Sequence, residues 1–316
     1  MSTSTALHPS VRAALEALVD YAGLFPPAAL EMPQAIEEYL GARSGQHAWM
    51  LGRFIVPASR IGEMGGRERE LPLSAIVGVQ TRDAGEETTR WFDRVRETLA
   101  GAARMRDAGT RIEALEVRLP PLRSERETHD AAMGQLGAML AQHGLRGIPA
   151  YAELPRDARW SDVLPGAMTA AVRARLGVKL RCGGLTPGDF PTTEQVAAFI
   201  GAAASENVPF KATAGLHHPV RHYDETVGCR MHGFLNLLAA AALATRVDPA
   251  TLESIVAEED PKAFTFDPTA LRWRDEVVSA AELADVRSQR FVAYGSCSFA
   301  EPVEDLTALG ILAPAP

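Results

Sequence analysis

Short runs of β-branched and other apolar residues alternate along this chain with longer segments whose apolar residues recur every three or four positions. The first pattern is typical of buried strands and the second of amphipathic helices. Strand-like runs occupy residues 19–25, 50–57, 73–79, 112–119, 148–154, 178–183, 209–216 and 291–298. Helix-like segments occupy residues 33–43, 87–104, 129–143, 160–176, 193–207 and 233–245. Eight strands alternating with helices predict a (β/α)8 TIM barrel. An open doubly wound sheet uses the same alternation, but the count of eight favours closure.

The alternation is interrupted before the last strand, where residues 251–290 predict a small added hairpin. The chain shows no tandem repeat and no low-complexity linker. With 316 residues, 47% of them apolar, it is long enough for one large core. We therefore expect a single α/β barrel domain spanning residues 1–316.

The formal charge of −8 argues against a nucleic-acid partner or an anionic membrane surface. The N-terminus has no basic start followed by an apolar run, and no apolar stretch is long enough to span a bilayer. We expect a cytoplasmic protein. The cysteines, Cys182, Cys229 and Cys297, have no spacing typical of a disulfide framework, so reduced thiols are expected.

Lysine is scarce in this sequence. Only three of the 32 basic residues are lysines, namely Lys179, Lys211 and Lys262. Two of them fall in neighbouring predicted strands, the sixth and the seventh. Arginine can supply a positive charge, but it does not deprotonate and cannot act as an amine nucleophile. A chain that otherwise prefers arginine therefore has a chemical reason to keep Lys179 and Lys211.

The alternation of side chains along each strand assigns charged residues to the barrel interior. In the sixth strand, for example, Val178 and Leu180 form the apolar set, which leaves Lys179 and Arg181 facing inward. The inward charged residues assigned in this way are Arg53, Glu116, Arg118, Glu153, Lys179, Arg181 and Lys211. Five cations then face two carboxylates, which predicts a small anionic ligand, a phosphate or a carboxylate. Cross-pairing of these charges at the barrel ends, or a parity error in one strand, is the alternative.

Two lysines in one apolar cavity disfavour each other's charged form, because desolvation and like-charge repulsion both lower a lysine pKa. A neutral amine can attack a carbonyl carbon and form a Schiff base. We therefore expect Lys179 to be the nucleophile and Lys211 to lower its pKa.

Three short segments resemble the deoxyribose-phosphate aldolase group of class I aldolases. Residues 178–183 (VKLRCG) are similar to that family's V-K-T-S-T-G, residues 211–216 (KATAGL) to K-A-S-G-G-I, and residues 20–26 (DYAGLFP) to D-x-T-x-L-x-P. The resemblance implies a TIM barrel with a Schiff-base lysine, Lys179, on the sixth strand and an activating lysine, Lys211, on the seventh.

The sequence also departs from that family. The family's E-I-D in the fourth strand becomes Glu116, Val117 and Arg118, so the proton-handling aspartate is replaced by an arginine. Glu153 or Glu116 would have to transfer protons instead. Arg181 stands where the family has a small hydroxyl residue, which implies a different or more anionic substrate.

Two glycine-containing strand ends could approach an anion through their backbone N–H groups. Gly183 and Gly184 follow the sixth strand, and Ser296 lies at the end of the last one. Plain turn residues are the alternative interpretation of the two glycines.

Four of the eight histidines, with Cys229, fall within sixteen residues after the seventh strand; they are His217, His218, His222 and His232. Imidazole and thiolate ligands at these positions could hold zinc or a related metal. No familiar zinc signature is present, and Pro219 opposes a helix that would carry His218 and His222 on one face. The other interpretation places His217 and His218 over the substrate.

These observations favour a lyase of class I aldolase type that forms a Schiff base with a small phosphorylated or carboxylated carbonyl compound. The catalytic candidates are Lys179, Lys211, Glu153 and Glu116, and the substrate-binding candidates are Arg53, Arg118, Arg181, Gly183, Gly184, His217, His218 and Ser296. This mechanism needs no cofactor. One alternative is a hydrolase or lyase dependent on a divalent metal at the histidines. Another is a non-catalytic barrel with fully cross-paired inward charges. The oligomeric state stays open, and a homo-oligomer is compatible with the sequence.

Overall fold

The computed structural model describes residues 7–78, 88–122, 127–156 and 159–314. The strands are β1 (Val19–Tyr21), β2 (Leu51–Pro57), β3 (Leu73–Val77), β4 (Ile112–Arg118), β5 (Ala150–Glu153), β6 (Gly177–Arg181), β7 (Phe210–Thr213), β8 (His222–Asp224), β9 (Cys229–Met231), β10 (Phe264–Phe266), β11 (Ala270–Trp273), β12 (Glu276–Ser279) and β13 (Phe291–Ser296). The helices are α1 (Pro9–Leu15), α2 (Met32–Ser44), α3 (Thr88–Asp107), α4 (Asp130–Gln142), α5 (Trp160–Ala174), α6 (Thr193–Ser205), α7 (Phe234–Leu243), α8 (Pro249–Ala257), α9 (Ala280–Gln289) and α10 (Ala300–Ala308).

Eight strands form one closed barrel in the order β1-β13-β7-β6-β5-β4-β3-β2. Every neighbouring pair in it is parallel. The sequence prediction of a (β/α)8 TIM barrel is confirmed, and each of the eight predicted strands overlaps one strand of the barrel. The last residue of the predicted third strand, Val79, lies outside the described residues, as does Glu87 at the start of the second predicted helix.

The main core lies between the barrel and its helices. In β6 and β7 the outward-facing residues Val178, Leu180, Phe210 and Ala212 are buried among helix side chains. Side chains cap the starts of α6, α8 and α9. At α6, Thr192 Oγ1 accepts from the Gln195 backbone N–H, and the Gln195 side chain accepts in return from the Thr192 N–H. These caps fix where the helices begin, and the apolar side chains of the helices pack against the outside of the strands.

The region before the last strand is larger than the predicted hairpin. Strands β10, β11 and β12 form a three-stranded antiparallel sheet, which is flanked by α8 and α9. A separate two-stranded hairpin, β8 with β9, follows the seventh barrel strand. Within the described residues, no helix combines the length and apolar character needed to cross a membrane.

Candidate active site

Lys211 lies in a buried layer of the barrel interior. Its layer is built by alternate strands, with Asp20 from β1, Ser74 from β3 and Tyr151 from β5 around Lys211 from β7. Lys211 Nζ is 2.6 Å from Asp20 Oδ2, donates to Ser74 Oγ at 3.1 Å and lies 5.7 Å from the centre of the Tyr151 ring. The side chain is only 1% exposed. Lys211 is therefore enclosed by polar partners on all these strands.

Glu116 on β4 joins the two lysines. Its Oε1 is 2.5 Å from Lys211 Nζ, and its Oε2 is 2.6 Å from Lys179 Nζ. Ser74 Oγ donates a hydrogen bond to the same Oε1 at 2.6 Å. One buried carboxylate thus lies between two ammonium groups, and it reduces the repulsion that would otherwise separate their charges.

Lys179 lies closer to the C-terminal ends of the strands. It is directly paired in register with Lys211 on β7 and with Glu153, the last residue of β5. Its Nζ is 3.0 Å from Glu153 Oε2, and its side chain is 6% exposed. Lys179 and Lys211 are thus neighbours inside one interior, as the strand parity predicted. Of the two, Lys179 is nearer to the strand ends, where α/β barrels bind substrates.

The charge network affects the pKa of both lysines. Burial lowers the pKa of Lys179, but the carboxylates of Glu116 and Glu153 outweigh burial, so the pKa is raised overall. The pKa of Lys211 is raised in the same way by Asp20 and Glu116. Burial raises the pKa of Glu116 and Glu153, but the neighbouring cations outweigh it and lower both pKa values. A neutral Lys179 activated by Lys211 therefore stays a prediction, and the three carboxylates around the two amines, Asp20, Glu116 and Glu153, favour their charged forms.

Asp20 is the main site residue that the sequence analysis did not assign. Its side chain is fully buried, and its Oδ1 accepts from the Arg53 backbone N–H at 2.6 Å. Asp20 is flanked in β1 by the apolar residues Val19 and Tyr21, so strand parity could have identified it as an inward carboxylate. The predicted surplus of five cations over two carboxylates is corrected accordingly. Ser74 was also missed, and a lone serine in an apolar strand gives no comparable signal.

Arg118 and Arg181 lie at the C-terminal rim. They are the last residues of β4 and β6, and their side chains are 42% and 45% exposed. Arg118 Nε is 3.7 Å and Arg181 Nη1 is 3.9 Å from Glu153 Oε1. Both separations exceed a hydrogen-bond length. Two half-exposed guanidinium groups therefore stand close to one carboxylate at the entrance to Lys179.

Arg53 does not join this rim. Its guanidinium group lies 3.8 Å from Asp20 Oδ2 and 3.7 Å from Glu113 Oε2, and Glu113 is the second residue of β4. This places Arg53 toward the N-terminal ends of the strands, on the other side of Lys211 from the rim. Arg53 is therefore not among the residues placed to contact a substrate at the rim.

Gly183 and Gly184 pack closely against the loop that follows them. A Cβ atom on Gly183 would lie 2.6 Å from the Phe190 ring, and one on Gly184 would lie 2.6 Å from Asp189. These contacts explain both glycines by packing. Ser296, at the end of β13, is 2% exposed, and its Oγ accepts from the Ser298 N–H at 3.4 Å.

The four clustered histidines have separate partners. His217 Nδ1 is 2.9 Å from Glu301 and His218 Nδ1 is 2.5 Å from Asp305, both on α10. His222 Nδ1 faces the Val220 carbonyl at 3.2 Å, and His232 Nε2 donates to the Pro191 carbonyl at 2.8 Å. Among the described residues, no three His, Cys, Asp or Glu side chains are grouped as ligands for one metal ion. His217 and His218 are thus held toward α10, and the sequence cluster is not gathered into one site.

Comparison with known proteins shows that the fold of this chain is similar to that of solved structures. The structure is similar to that of the tetrameric deoxyribose phosphate aldolase from Aeropyrum pernix, with a TM-score of 0.54 and 11% identity over 95% of this chain and 93% of that chain. A fructose-bisphosphate aldolase from Slackia heliotrinireducens DSM 20476 matches with a TM-score of 0.40 and 14% identity over 66% of this chain and 68% of that chain. No protein-family model matches the chain, and no curated protein sequence matches it. The chain therefore shares a barrel fold with deoxyribose phosphate aldolase, and its chemistry has to be argued from its own side chains.

Proposed function

We propose that the protein is a lyase of class I aldolase type, in which Lys179 forms a Schiff base with a small anionic carbonyl compound. The observation that carries this proposal is the position of Lys179. It is a nearly buried amine close to the C-terminal rim, with two carboxylates within 3.0 Å of its Nζ. A purely structural cation would not require lysine here, in a chain whose other basic residues are almost all arginine.

The amine has to lose a proton before it can react. Glu153 is the better acceptor, because Glu116 is already bound by Lys211 and Ser74. The neutral amine then attacks the substrate's carbonyl carbon, and the resulting carbinolamine loses its oxygen as water to leave an iminium group. Glu153 gives its proton to the departing water, and its carboxylate then takes the proton of the hydroxyl group on the β carbon. The bond between the α and β carbons breaks, the β carbon leaves as a carbonyl compound, and the electron pair passes to the iminium group to form an enamine. Protonation of the enamine at carbon and hydrolysis of the imine release the second product and free Lys179.

Arg118 and Arg181 would bind the substrate's phosphate or carboxylate group. Guanidinium groups pair well with both anions, and these two lie beside Glu153 without a hydrogen-bond contact to it. An anion between them would offset two of the charges that lower the Glu153 pKa. Substrate binding would thereby make Glu153 a stronger base and favour proton transfer from Lys179. We further propose a homo-oligomer, in line with the tetramer reported for the Aeropyrum pernix enzyme.

Borohydride trapping tests the Schiff base. The protein is incubated with phosphorylated aldehydes and keto acids, reduced with borohydride and mapped by mass spectrometry. We expect one reduced adduct on Lys179, and none in the Lys179→Met variant. Lys262 is exposed and provides an internal control, since non-specific reductive alkylation would label it first. Adducts on Lys262 alone, or on no lysine across the panel, would overturn the proposal.

A non-catalytic, ligand-binding barrel is the second candidate. It is favoured by the complete pairing of both lysines with carboxylates, which raises the pKa of each amine. This candidate predicts that a carboxylate or phosphate ligand protects the fold against heat while no carbonyl compound is trapped. The same purified protein should be analysed for bound metal, because a stoichiometric divalent ion would support a metal-dependent hydrolase or lyase instead.

A further inference from the structure

The two half-exposed arginines at the rim lie close to the proposed nucleophile. Arg118, Glu153 and Lys179 are paired in register across three neighbouring strands, β4, β5 and β6. Neighbouring strands are only about 4.8 Å apart, so these three residues form one short row. Arg181 follows Lys179 by two positions on β6 and therefore points to the same face of that strand, into the barrel. The amine thus has one guanidinium group across the row and another along its own strand.

The Glu153 carboxylate limits the distance between the amine and the two guanidinium groups. Its Oε2 is 3.0 Å from Lys179 Nζ, while its Oε1 is 3.7 Å from Arg118 Nε and 3.9 Å from Arg181 Nη1. The two oxygens of one carboxylate share a carbon atom and are about 2.2 Å apart, so each of these guanidinium nitrogens lies within about 9 Å of Nζ. An anion held between the two arginines is therefore close to the carbon atom that Lys179 binds.

A ligand can reach these groups from the rim. The side chains of Arg118 and Arg181 are 42% and 45% exposed, so an anion from solvent can contact both. Lys179 is only 6% exposed, which limits the size of the group that can approach its Nζ. A flat carbonyl group with a carboxylate beside it meets both conditions.

The short distance also limits the length of the substrate between its carbonyl carbon and its anionic group. In a keto acid with the carboxylate on the carbonyl carbon, the carboxylate oxygens lie about 3 Å from the Schiff-base nitrogen, and a hydrogen bond of about 2.9 Å then reaches a guanidinium group. In an aldehyde with its phosphate group on the fourth carbon beyond the carbonyl carbon, an extended chain places the phosphorus about 7 Å away from that carbonyl carbon. The first arrangement fits between Lys179 and the two arginines, whereas the second extends past them.

The charge at the rim also favours a carboxylate. Glu153 is the proposed acceptor of the Lys179 proton, and accepting this proton removes one negative charge from beside the two arginines. A carboxylate brings back a single negative charge, whereas a phosphate group on a substrate carries about −1.5 to −2 at neutral pH. Guanidinium groups bind carboxylates through paired hydrogen bonds of fixed geometry. A carboxylate therefore replaces the lost charge without adding a second one.

We propose that the substrate is a 4-hydroxy-2-oxo acid, in which the carboxylate that pairs with Arg118 and Arg181 is attached to the carbonyl carbon that Lys179 binds. This inference rests on the proposed Schiff-base function and specifies its substrate class. Nζ binds the carbonyl carbon with loss of water, Glu153 takes the proton of the hydroxyl group, and the bond between the third and fourth carbons breaks. An aldehyde leaves, the enamine takes up a proton at the third carbon, and hydrolysis with one water molecule releases a 2-oxo acid such as pyruvate.

Borohydride trapping at increasing carbonyl concentration tests the position of the carboxylate. The protein is reduced with pyruvate, with methyl pyruvate, whose carboxylate is blocked as an ester, or with glyceraldehyde 3-phosphate, and the adduct on Lys179 is quantified by mass spectrometry. We expect half-maximal labelling by pyruvate at a concentration at least about tenfold lower than by either other compound, because only pyruvate places a carboxylate beside the carbonyl carbon. The other two compounds are more electrophilic than pyruvate, so reactivity alone would give the opposite order.

Substitutions at the rim identify the groups that bind the carboxylate. Arg118→Gln and Arg181→Gln should each raise the half-saturating concentration of pyruvate at least about tenfold and leave that of methyl pyruvate unchanged. The comparison of acid and ester within one variant separates a contact with the carboxylate from a change in the reactivity of the amine. Arg272→Gln, at an exposed arginine on the three-stranded sheet, is the matched control and should label as the wild type does.

Two results would overturn this substrate class and leave the Schiff base at Lys179 in place. One is labelling by pyruvate that Arg181→Gln leaves unchanged, or weakens equally for the acid and the ester. The other is preferential labelling of Lys179 by glyceraldehyde 3-phosphate, which would place the anion further from the carbonyl carbon. The absence of a Lys179 adduct with all three compounds would instead overturn the proposed function itself, and this inference with it.

Discussion

The charged side chains inside the barrel and those at its C-terminal rim differ in how closely they are paired. In the interior, each lysine has two carboxylates within 3.0 Å, and Glu116 is shared between them. At the rim, Arg118 Nε lies 3.7 Å and Arg181 Nη1 lies 3.9 Å from Glu153 Oε1, beyond hydrogen-bond length. The interior charges are closely paired, while these two rim guanidinium groups make only long contacts with Glu153. The molecule therefore separates two closely paired, buried lysines from two half-exposed arginines at the strand ends.

Among the substitutions that test this difference in pairing, removal of the shared Glu116 carboxylate should have the largest effect on stability. Glu116→Gln leaves two buried ammonium groups with fewer counter-charges, and breaking a buried ion pair in this way costs about 3–5 kcal/mol. We expect the free energy of unfolding in urea to fall by about that amount. Glu304→Gln, at an exposed position on α10, is the control and should change it by less than about 0.5 kcal/mol. A small effect of Glu116→Gln would mean that Glu116 does not stabilise the two buried lysines.

Rim substitutions should affect binding and leave the fold intact. Arg181→Gln removes one half-exposed guanidinium group, and a lost charged hydrogen bond is worth about 1.5–3 kcal/mol, or about 10- to 100-fold in KM for an anionic substrate. Unfolding free energy should change by less than about 0.5 kcal/mol. Arg96→Gln on α3 serves as the exposed control. If Arg181→Gln destabilised the fold strongly and left KM unchanged, the contrast between interior and rim would be wrong.

The pH dependence of stability should also differ when Glu153, which lies between the interior and the rim, is replaced. The pKa of Glu153 is lowered in the folded protein, since Lys179 and the rim arginines outweigh the effect of burial. Its contribution is therefore present above the ordinary glutamate pKa of about 4.3 and is lost as the pH falls through the lower folded pKa. Glu153→Gln should reduce the acid slope of unfolding free energy by up to about 1.4 kcal/mol per pH unit. Urea unfolding between about pH 3 and 6 measures this slope, and equal slopes in both proteins would contradict the assignment.

The charged residues of the site differ in how well the sequence foretold their positions. Parity along β4, β5, β6 and β7 correctly brought Glu116, Glu153, Lys179 and Lys211 into one interior. The same parity placed Arg53 inside the barrel, but parity does not say near which end of the barrel a side chain lies. The height of Arg53 relative to Glu113 depends on the strand register, which shifts where β2 pairs with β1 and where β3 pairs with β4. Proximity along the chain was a weaker guide for the histidines. His217 and His218 are drawn to α10, which lies more than eighty residues further on.

The sequence by itself determined the barrel and the inward direction of the two lysines, because the alternation of apolar and polar residues follows directly from strand geometry and from burial under helices. Only the tertiary structure decided the charge state of those lysines. Their pKa values depend on which carboxylates arrive from other strands, and Asp20, Glu116 and Glu153 come from β1, β4 and β5. Distances between strands that are far apart in the chain are fixed by barrel closure and register, and these are set by the packing of the whole molecule.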